Sequence, residues 1–287
     1  VYIEGLSVRL SVHNIATRAV MQLAGSVVIN SMEVVFDDGF DQAAWDAGFD
    51  TNGYSTFGAF GTDSGYRFFA KNVRCFKEIA GVKTDIGVRT KFSSTNTFDR
   101  LFVELERCNI SQEGNNVRDL RYRNCRFILL GSDVVKDILV YDECTFLARR
   151  QTGSTAIVSA TENNKEILFR GCTFLFDTTD DYLYIFNTSK LSTSPVARIH
   201  GCRFIRDFAA NGFVIKFDGD PDFKNDNNGV FNLEIMDCTF ENTGGSTTNP
   251  ILSSGFVLVD AAKVYGRGNY KSPTLTVDSS GPIYSTF

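Results

Sequence analysis

The sequence predicts an all-β chain wound as a parallel solenoid of about ten rungs, and three observations carry that prediction. One phrase recurs five times: Leu120 to Phe127 (LRYRNCRF), Leu139 to Phe146 (LVYDECTF), Ile167 to Phe174 (ILFRGCTF), Ala197 to Phe204 (ARIHGCRF) and Leu233 to Phe240 (LEIMDCTF). Every copy sets an apolar residue three before a cysteine and a phenylalanine two after it. The residue ahead of the cysteine is Asn124, Glu143, Gly171, Gly201 or Asp237. Most of these types tolerate positive φ, so a strand can bend within one residue there. One such unit cannot bury its apolar side alone, so recurrence at variable spacing means that copies stack. The third observation is that the outward positions of successive copies are complementary.

In chain order, the same register picks out weaker copies at Ile3 to Val8, Ile29 to Val34, Ala70 to Cys75 and Leu105 to Ile110, and a last one at Tyr265 to Tyr270. The cysteine position then reads Leu6, Met32, Val73, Cys108, Cys125, Cys144, Cys172, Cys202, Cys238 and Gly268, as an inward, size-restricted site should. Two residues on, the chain carries Val8, Val34, Cys75, Ile110, Phe127, Phe146, Phe174, Phe204, Phe240 and Tyr270. This internal Cys and Phe ladder fills the core, and offset ring stacking adds modestly to burial.

A wrong register would scramble the outward residues. Two before the cysteine, Glu106, Arg123, Asp142 and Arg170 alternate in charge; four before it, Glu104 lies beside Arg121 and Arg198 beside Glu234. Exposed pairs contribute only about 0.2–1 kcal/mol each, so they speak for register more than for stability. Three after the cysteine stand Ile128, Leu147, Leu175 and Ile205. Since position plus two faces in, plus three faces out. A monomer normally avoids such an apolar column, which leaves a neighbouring subunit, a long loop of the same chain or an inward kink to cover it.

The rungs between Cys108, Cys125 and Cys144 leave little room for loops, whereas later rungs bulge at 179–193, 218–229 and 241–254, rich in Asp, Asn, Gly, Ser and Thr. The insertion 36–66 mixes Trp45, Tyr54 and Tyr66 with Asp37, Asp38, Asp41, Asp46 and Asp50. Such a mixture suits sugars, whose C–H faces pack on rings while their hydroxyls need acceptors. The alternative is a loop burying its own aromatics over the solenoid. With Tyr182 of the first late bulge, the predicted substrate-binding set is Trp45, Tyr54, Tyr66 and Tyr182. The solenoid is assigned residues 1–270, and 271–287 form an irregular cap or the start of a further domain.

Composition narrows the function classes. A net charge of -5 over 287 residues gives no electrostatic footprint for nucleic acid or an anionic membrane. No apolar run reaches the length of a membrane span. Without an initiator Met or a signal-like leader, the chain is expected to be a fragment, a processed product or the ordered part of something longer. The 26 phenylalanines are the core material. Six of the seven cysteines share one repeat position, which makes a buried stack rather than a framework of loop-closing bridges. No CxxC or CxxH spacing occurs, so no metal and no cofactor is predicted. Stacked thiols would bond if oxidised, so a reducing cytosol is the simpler place of assembly.

The phrases Gly171-Cys172-Thr173-Phe174, Gly201-Cys202-Arg203-Phe204 and Asp237-Cys238-Thr239-Phe240 resemble the repeats of right-handed parallel β-helix proteins of the pectin-lyase-like type, most closely those of bacteriophage tailspikes. The resemblance covers roughly Val1 to Tyr270. It implies a homotrimeric virion protein of the phage tail, assembled in the host cytoplasm, that contacts host surface polysaccharide and other tail proteins. A noncatalytic virion fibre and a secreted pectin-lyase-like lyase or hydrolase are the alternatives.

Glycoside hydrolysis needs two carboxyls about 5–9.5 Å apart. Asp177 and Asp207 each follow a ladder cysteine by five residues on adjacent rungs, and are the predicted acid and base. Glu106 and Asp142 lie two rungs apart with Arg123 between them, which keeps both ionised and spoils a general-acid role. Asp218, Asp220, Asp222 and Asp226 form an acidic turn without the Gly and distal Glu of an EF-hand. His13 and His200 have no nearby nucleophile or ligand spacing, and there is no phosphate loop or dinucleotide fingerprint.

Overall fold

The computed structural model describes residues 1–10, 19–23, 25–41, 44–45, 55–59, 67–86, 88–91, 101–127, 133–148, 166–176, 183–187, 196–206, 215–219, 231–242, 251–254 and 262–271. It is a stack of parallel β-sheets, the all-β solenoid that the repeat predicts, consistent with a right-handed parallel β-helix. The main sheet follows ten strands in chain order: Tyr2–Leu10, Val27–Phe36, Arg67–Ile79, Leu101–Glu106, Ile110–Arg123, Asp133–Asp142, Glu166–Arg170, Val196–His200, Phe231–Met236 and Ala262–Arg267. A second sheet stacks Arg126–Phe127, Thr145–Ala148, Thr173–Phe176, Arg203–Arg206, Thr239–Asn242 and Tyr270–Lys271. A third wall is made by Leu183–Asn187, Ile215–Gly219 and Ile251–Ser254. In the first half of the chain Ala19–Leu23, Ser55–Ala59 and Val88–Lys91 pair in parallel, and Val88–Lys91 continues onto Ile110 to Glu113.

The one-residue bend occurs at every rung. Gly5, Ser31, Asn72, Arg107, Asn124, Glu143, Gly171, Gly201, Asp237 and Gly268 all have φ between 51 and 69°. This left-handed conformation costs an ordinary side chain about 1–2 kcal/mol. That Ser31, Arg107 and Glu143 adopt it shows that stacking on the rungs above and below dictates the bend more strongly than local preference does.

In the cysteine position the register matches the sequence reading from Leu6 to Cys238, with Leu6 paired to Met32 and Met32 to Val73, and two residues on Phe146 pairs with Phe174 and Phe174 with Phe204. Ile110 departs from the reading: instead of continuing Cys75 toward Phe127 it pairs with Val88, because the hairpin takes Arg67–Ile79 out of that ladder. The last rung is a correction. Gly268 is not in the cysteine position but is the bend itself; Asn269 takes the cysteine position, Tyr270 pairs with Thr239 and is 57% exposed, and Lys271 pairs with Phe240. The reason is steric, because a Cβ at residue 268 would collide with the Asp237 carboxylate and its φ of +69° favours glycine. Matching Tyr270 to the phenylalanine column had shifted the register by one.

Four inward columns make the core. Leu120, Leu139 and Ile167 lie five before the cysteine; Tyr122, Tyr141, Phe169, Ile199 and Ile235 lie three before it; the cysteines and phenylalanines complete the set, all buried. The phenylalanine rings stack nearly parallel, with centroids 4.4 Å apart for Phe146 and Phe174, 4.7 Å for Phe174 and Phe204, and 5.0 Å for Phe204 and Phe240. Tyr122, Tyr141 and Phe169 form a second stack at 4.8 and 4.9 Å.

One element has no counterpart in the repeat pattern. Arg67–Ile79 turns back through Ala80 and Gly81 to pair antiparallel with Val82–Asp85. Both turn residues have positive φ, 49 and 80°, as a two-residue hairpin turn compatible with strand twist requires.

Candidate functional site

Five residues singled out for chemistry, Asp177, Asp207, Tyr54, Tyr66 and Tyr182, lie outside the described residues, as do His13, Ile128 and most of the acidic turn after Asp218. Trp45 is described and is turned inward. Its ring is 4% exposed and sits edge-on to Phe36 at 5.2 Å, with Phe40 at 5.9 Å, closing the core where Val27–Phe36 ends.

On the outer face of the main sheet the predicted charge alternation is in place. Asp142 lies between Arg123 and Arg170, which pair with it in register on either side. Arg170 dominates, donating through Nε at 2.8 Å and Nη2 at 2.7 Å to the two carboxylate oxygens, while Arg123 stays 3.9 Å away. The hydrogen bonds from Arg170, added to its charge, hold the Asp142 carboxyl below its ordinary value of 3.8. Glu106 meets Lys71 at 3.1 Å, Glu234 meets Arg198 at 3.3 Å, and Glu241 receives Arg203 Nη2 at 2.7 Å on the second sheet.

A depressed carboxyl pKa contributes stability that is fully present above the unfolded value and is lost as pH falls through the folded one. The urea midpoint is therefore expected to fall as pH drops below about 4, and Asp142→Asn to flatten part of that slope. Because Arg170 is largely exposed, solvent screening keeps the contribution of this pair to about 1 kcal/mol or less. Midpoints measured from pH 7 to pH 3 for both proteins check this; identical slopes would contradict it.

Where the hairpin diverts Arg67–Ile79 away from the next rung, side chains take over from the backbone. Asn109, 2% exposed, accepts from the Cys75 N–H through Oδ1 at 2.7 Å and donates through Nδ2 to the Cys75 carbonyl at 2.8 Å. The same Nδ2 donates to Asp85 Oδ1 at 3.2 Å. Asp85 also receives Arg74 Nη2 at 2.6 and 2.7 Å and Arg126 Nη1 at 3.3 Å, so one carboxylate pins the hairpin to two rungs.

Two apolar features face outward. On the second sheet Leu147, Leu175 and Ile205 are stacked and half-exposed, as the sequence predicts. On the main sheet, four before the cysteine position, Tyr2 (61% exposed), Val28 (38%) and half-exposed Phe69 lie side by side in register. Sequence reasoning missed the second column, although the alternation of Tyr2, Val28 and Phe69 with the inward residues of the weak early rungs carries it. Beside it run Glu4, Asn30 and Lys71, with Glu4 accepting from the Tyr2 hydroxyl at 3.1 Å and from Asn30 Nδ2 at 3.3 Å. Next to Phe69, Arg67 lies over the ring of Phe102 at 5.8 Å.

Among the described residues no group of three or more His, Cys, Asp and Glu side chains converges on a metal-sized site. No helix among them is long and apolar enough to cross a membrane. The geometry defines a parallel β-solenoid with a partly aromatic column on the outer face of its main sheet. Searches of protein-family descriptions, curated proteins and solved structures find no match to the chain.

Proposed function

We propose that this chain is a tailspike-like virion component that holds host surface polysaccharide against the outer wall of its solenoid. The observation that carries the reading is the exposed column of Tyr2, Val28 and Phe69 flanked by the hydrogen-bonding column of Glu4, Asn30 and Lys71. Rings offer faces to sugar C–H groups, and the neighbouring column offers partners to hydroxyls. Tyr2 and Phe69 are two rungs apart, about 10 Å, the scale of a short run of sugar rings. A stacked sheet is rigid, so little ordering cost opposes binding.

Binding without turnover is favoured. Hydrogen bonds from Arg170 and Arg203 hold the Asp142 and Glu241 carboxyls below their ordinary values. Carboxylates held in this way stay ionised and are poor general acids. Titration calorimetry against purified bacterial capsular polysaccharides and lipopolysaccharides is expected to find a ligand that is retained with no release of reducing ends. Tyr2→Ala combined with Phe69→Ala should weaken it at least tenfold. Unchanged affinity in that variant, or no ligand at all, would overturn the reading. Release of reducing ends abolished by Asp177→Asn would favour a depolymerase instead. In the same reading Leu147, Leu175 and Ile205 meet other copies of the chain, and light scattering gives three chain masses rather than one.

A further inference from the structure

The six stacked cysteines do more than fill space. Each thiol lies against the carbonyl two residues before it: Cys108 against Glu106 at 3.3 Å, Cys125 against Arg123 at 3.5 Å, Cys144 against Asp142 at 3.4 Å, and likewise Cys172, Cys202 and Cys238 at 3.5, 3.5 and 3.3 Å. Five of them also reach the carbonyl of the residue three before the cysteine position on the preceding rung. These are Cys108 to Ala70, Cys125 to Leu105, Cys172 to Tyr141, Cys202 to Phe169 and Cys238 to Ile199, at 3.3–3.6 Å. The sulfur can accept as well, since the Cys108 N–H points at Cys125 Sγ at 3.5 Å. The left-handed bend interrupts the ordinary backbone ladder at this point, and the thiol, weak donor and weak acceptor at once, bridges the interruption.

Asn269 shows independently that hydrogen bonding is what the position requires. Standing at the cysteine position of the last rung, it accepts from the Cys238 N–H through Oδ1 at 3.0 Å and donates through Nδ2 to the Ile235 carbonyl at 2.8 Å. It therefore serves the matching pair of backbone groups with an amide in place of a thiol.

We infer that the thiol column is a hydrogen-bonding spine that makes folding conditional on reduced cysteines and leaves the folded protein refractory to oxidants. Joining two thiols as a disulfide passes two protons and two electrons to the oxidant, as when oxidised glutathione becomes two molecules of reduced glutathione. A disulfide has no S–H to donate, so each bond formed removes two donors from the spine. Geometry alone would not forbid it, because neighbouring rungs lie about 4.8 Å apart, within disulfide reach. Access does: none of the seven cysteines is in a disulfide and all are buried, with at most 1% of their surface exposed. In the unfolded chain that protection is gone, and any pairing there fixes sulfurs that the spine needs as thiols. This inference is independent of the polysaccharide reading.

The test uses the whole chain. Folded protein is held in excess oxidised glutathione, then denatured in acid, alkylated and weighed; all seven cysteines are expected to be alkylated. Protein given the same treatment in urea should lose thiols, fail to regain its β-sheet circular dichroism on dilution, and recover it when dithiothreitol is added. Loss of thiols from the folded protein with its β signal intact would overturn the inference, and so would normal refolding of the oxidised chain. A pair of variants separates hydrogen bonding from mere size. Cys172→Ser keeps a donor and acceptor and should lower the urea midpoint less than Cys172→Ala; the reverse order would overturn the hydrogen-bonding role.

Discussion

Asn109→Ala is expected to lower the unfolding free energy by about 2–3 kcal/mol, although the substitution removes only one small polar side chain. The carboxamide supplies the acceptor for the Cys75 N–H and a second donor to the Cys75 carbonyl, which also receives Ile86 N–H at 3.3 Å. It is also one of the ties that hold Asp85. Removing a buried partner costs the desolvation of the group left behind in addition to the bond itself. Asn109→Asp is expected to be no better, because it keeps the acceptor but loses the donor and places a second carboxylate beside Asp85. Urea unfolding of the two variants measures this, and a loss under about 0.5 kcal/mol, the range of an ordinary surface change, would contradict the assigned role.

Phe174→Ala should be more damaging, at about 3–5 kcal/mol. Phe174 is fully buried between Phe146 and Phe204, with interplanar angles of 4 and 5°, so truncation opens the column on two sides at once. In a stack each rung is stabilised mainly by its neighbours. The loss is therefore expected to broaden the transition as well as shift it, with the rungs on either side of Phe174 uncoupled. Phe174→Leu, which keeps much of the volume, should lose less. A Phe174→Ala protein that unfolds with the parent midpoint would mean that this column is not continuous.

The fold was legible because its rule is repeated. Cys125, Cys144, Cys172, Cys202 and Cys238 recur with an apolar residue at one fixed offset and Phe at another, and period-two alternation assigns the remaining positions to inside or outside. Salt-bridge columns such as Asp142 with Arg170 were legible for the same reason. Reading failed where the rule is broken by a single side chain. Gly268 aligned as a ladder residue because the pattern has no term for the Asp237 carboxylate that occupies the place of a Cβ there. Asn109 occupies an outward position of its phrase and is nonetheless buried, because the hairpin of Arg67–Ile79 and Val82–Asp85 removes the strand that would have served Cys75. Nothing in Ile79-Ala80-Gly81-Val82 carries a strong turn signal, since Ala80 is an unusual choice for positive φ. The wall of Tyr2, Val28 and Phe69 was hidden for a different reason. Its rungs carry Leu6, Met32 and Val73 in place of the ladder cysteine, so the phrase that marks the outward positions of the central repeats is missing there.

Register holds the solenoid together: one residue at each bend, and the same face outward from rung to rung. Thr145 and Thr173 pair directly on adjacent rungs and both face outward, half-exposed. Thr145→Cys with Thr173→Cys, treated with mild oxidant and mapped by peptide mass, is expected to give a single intramolecular disulfide while the seven native cysteines stay out of any disulfide. A register displaced by one would turn one of the two side chains to the opposite face. No cross-link in that pair, or an equally efficient one between Thr145→Cys and Phe174→Cys, would contradict the structure at its foundation.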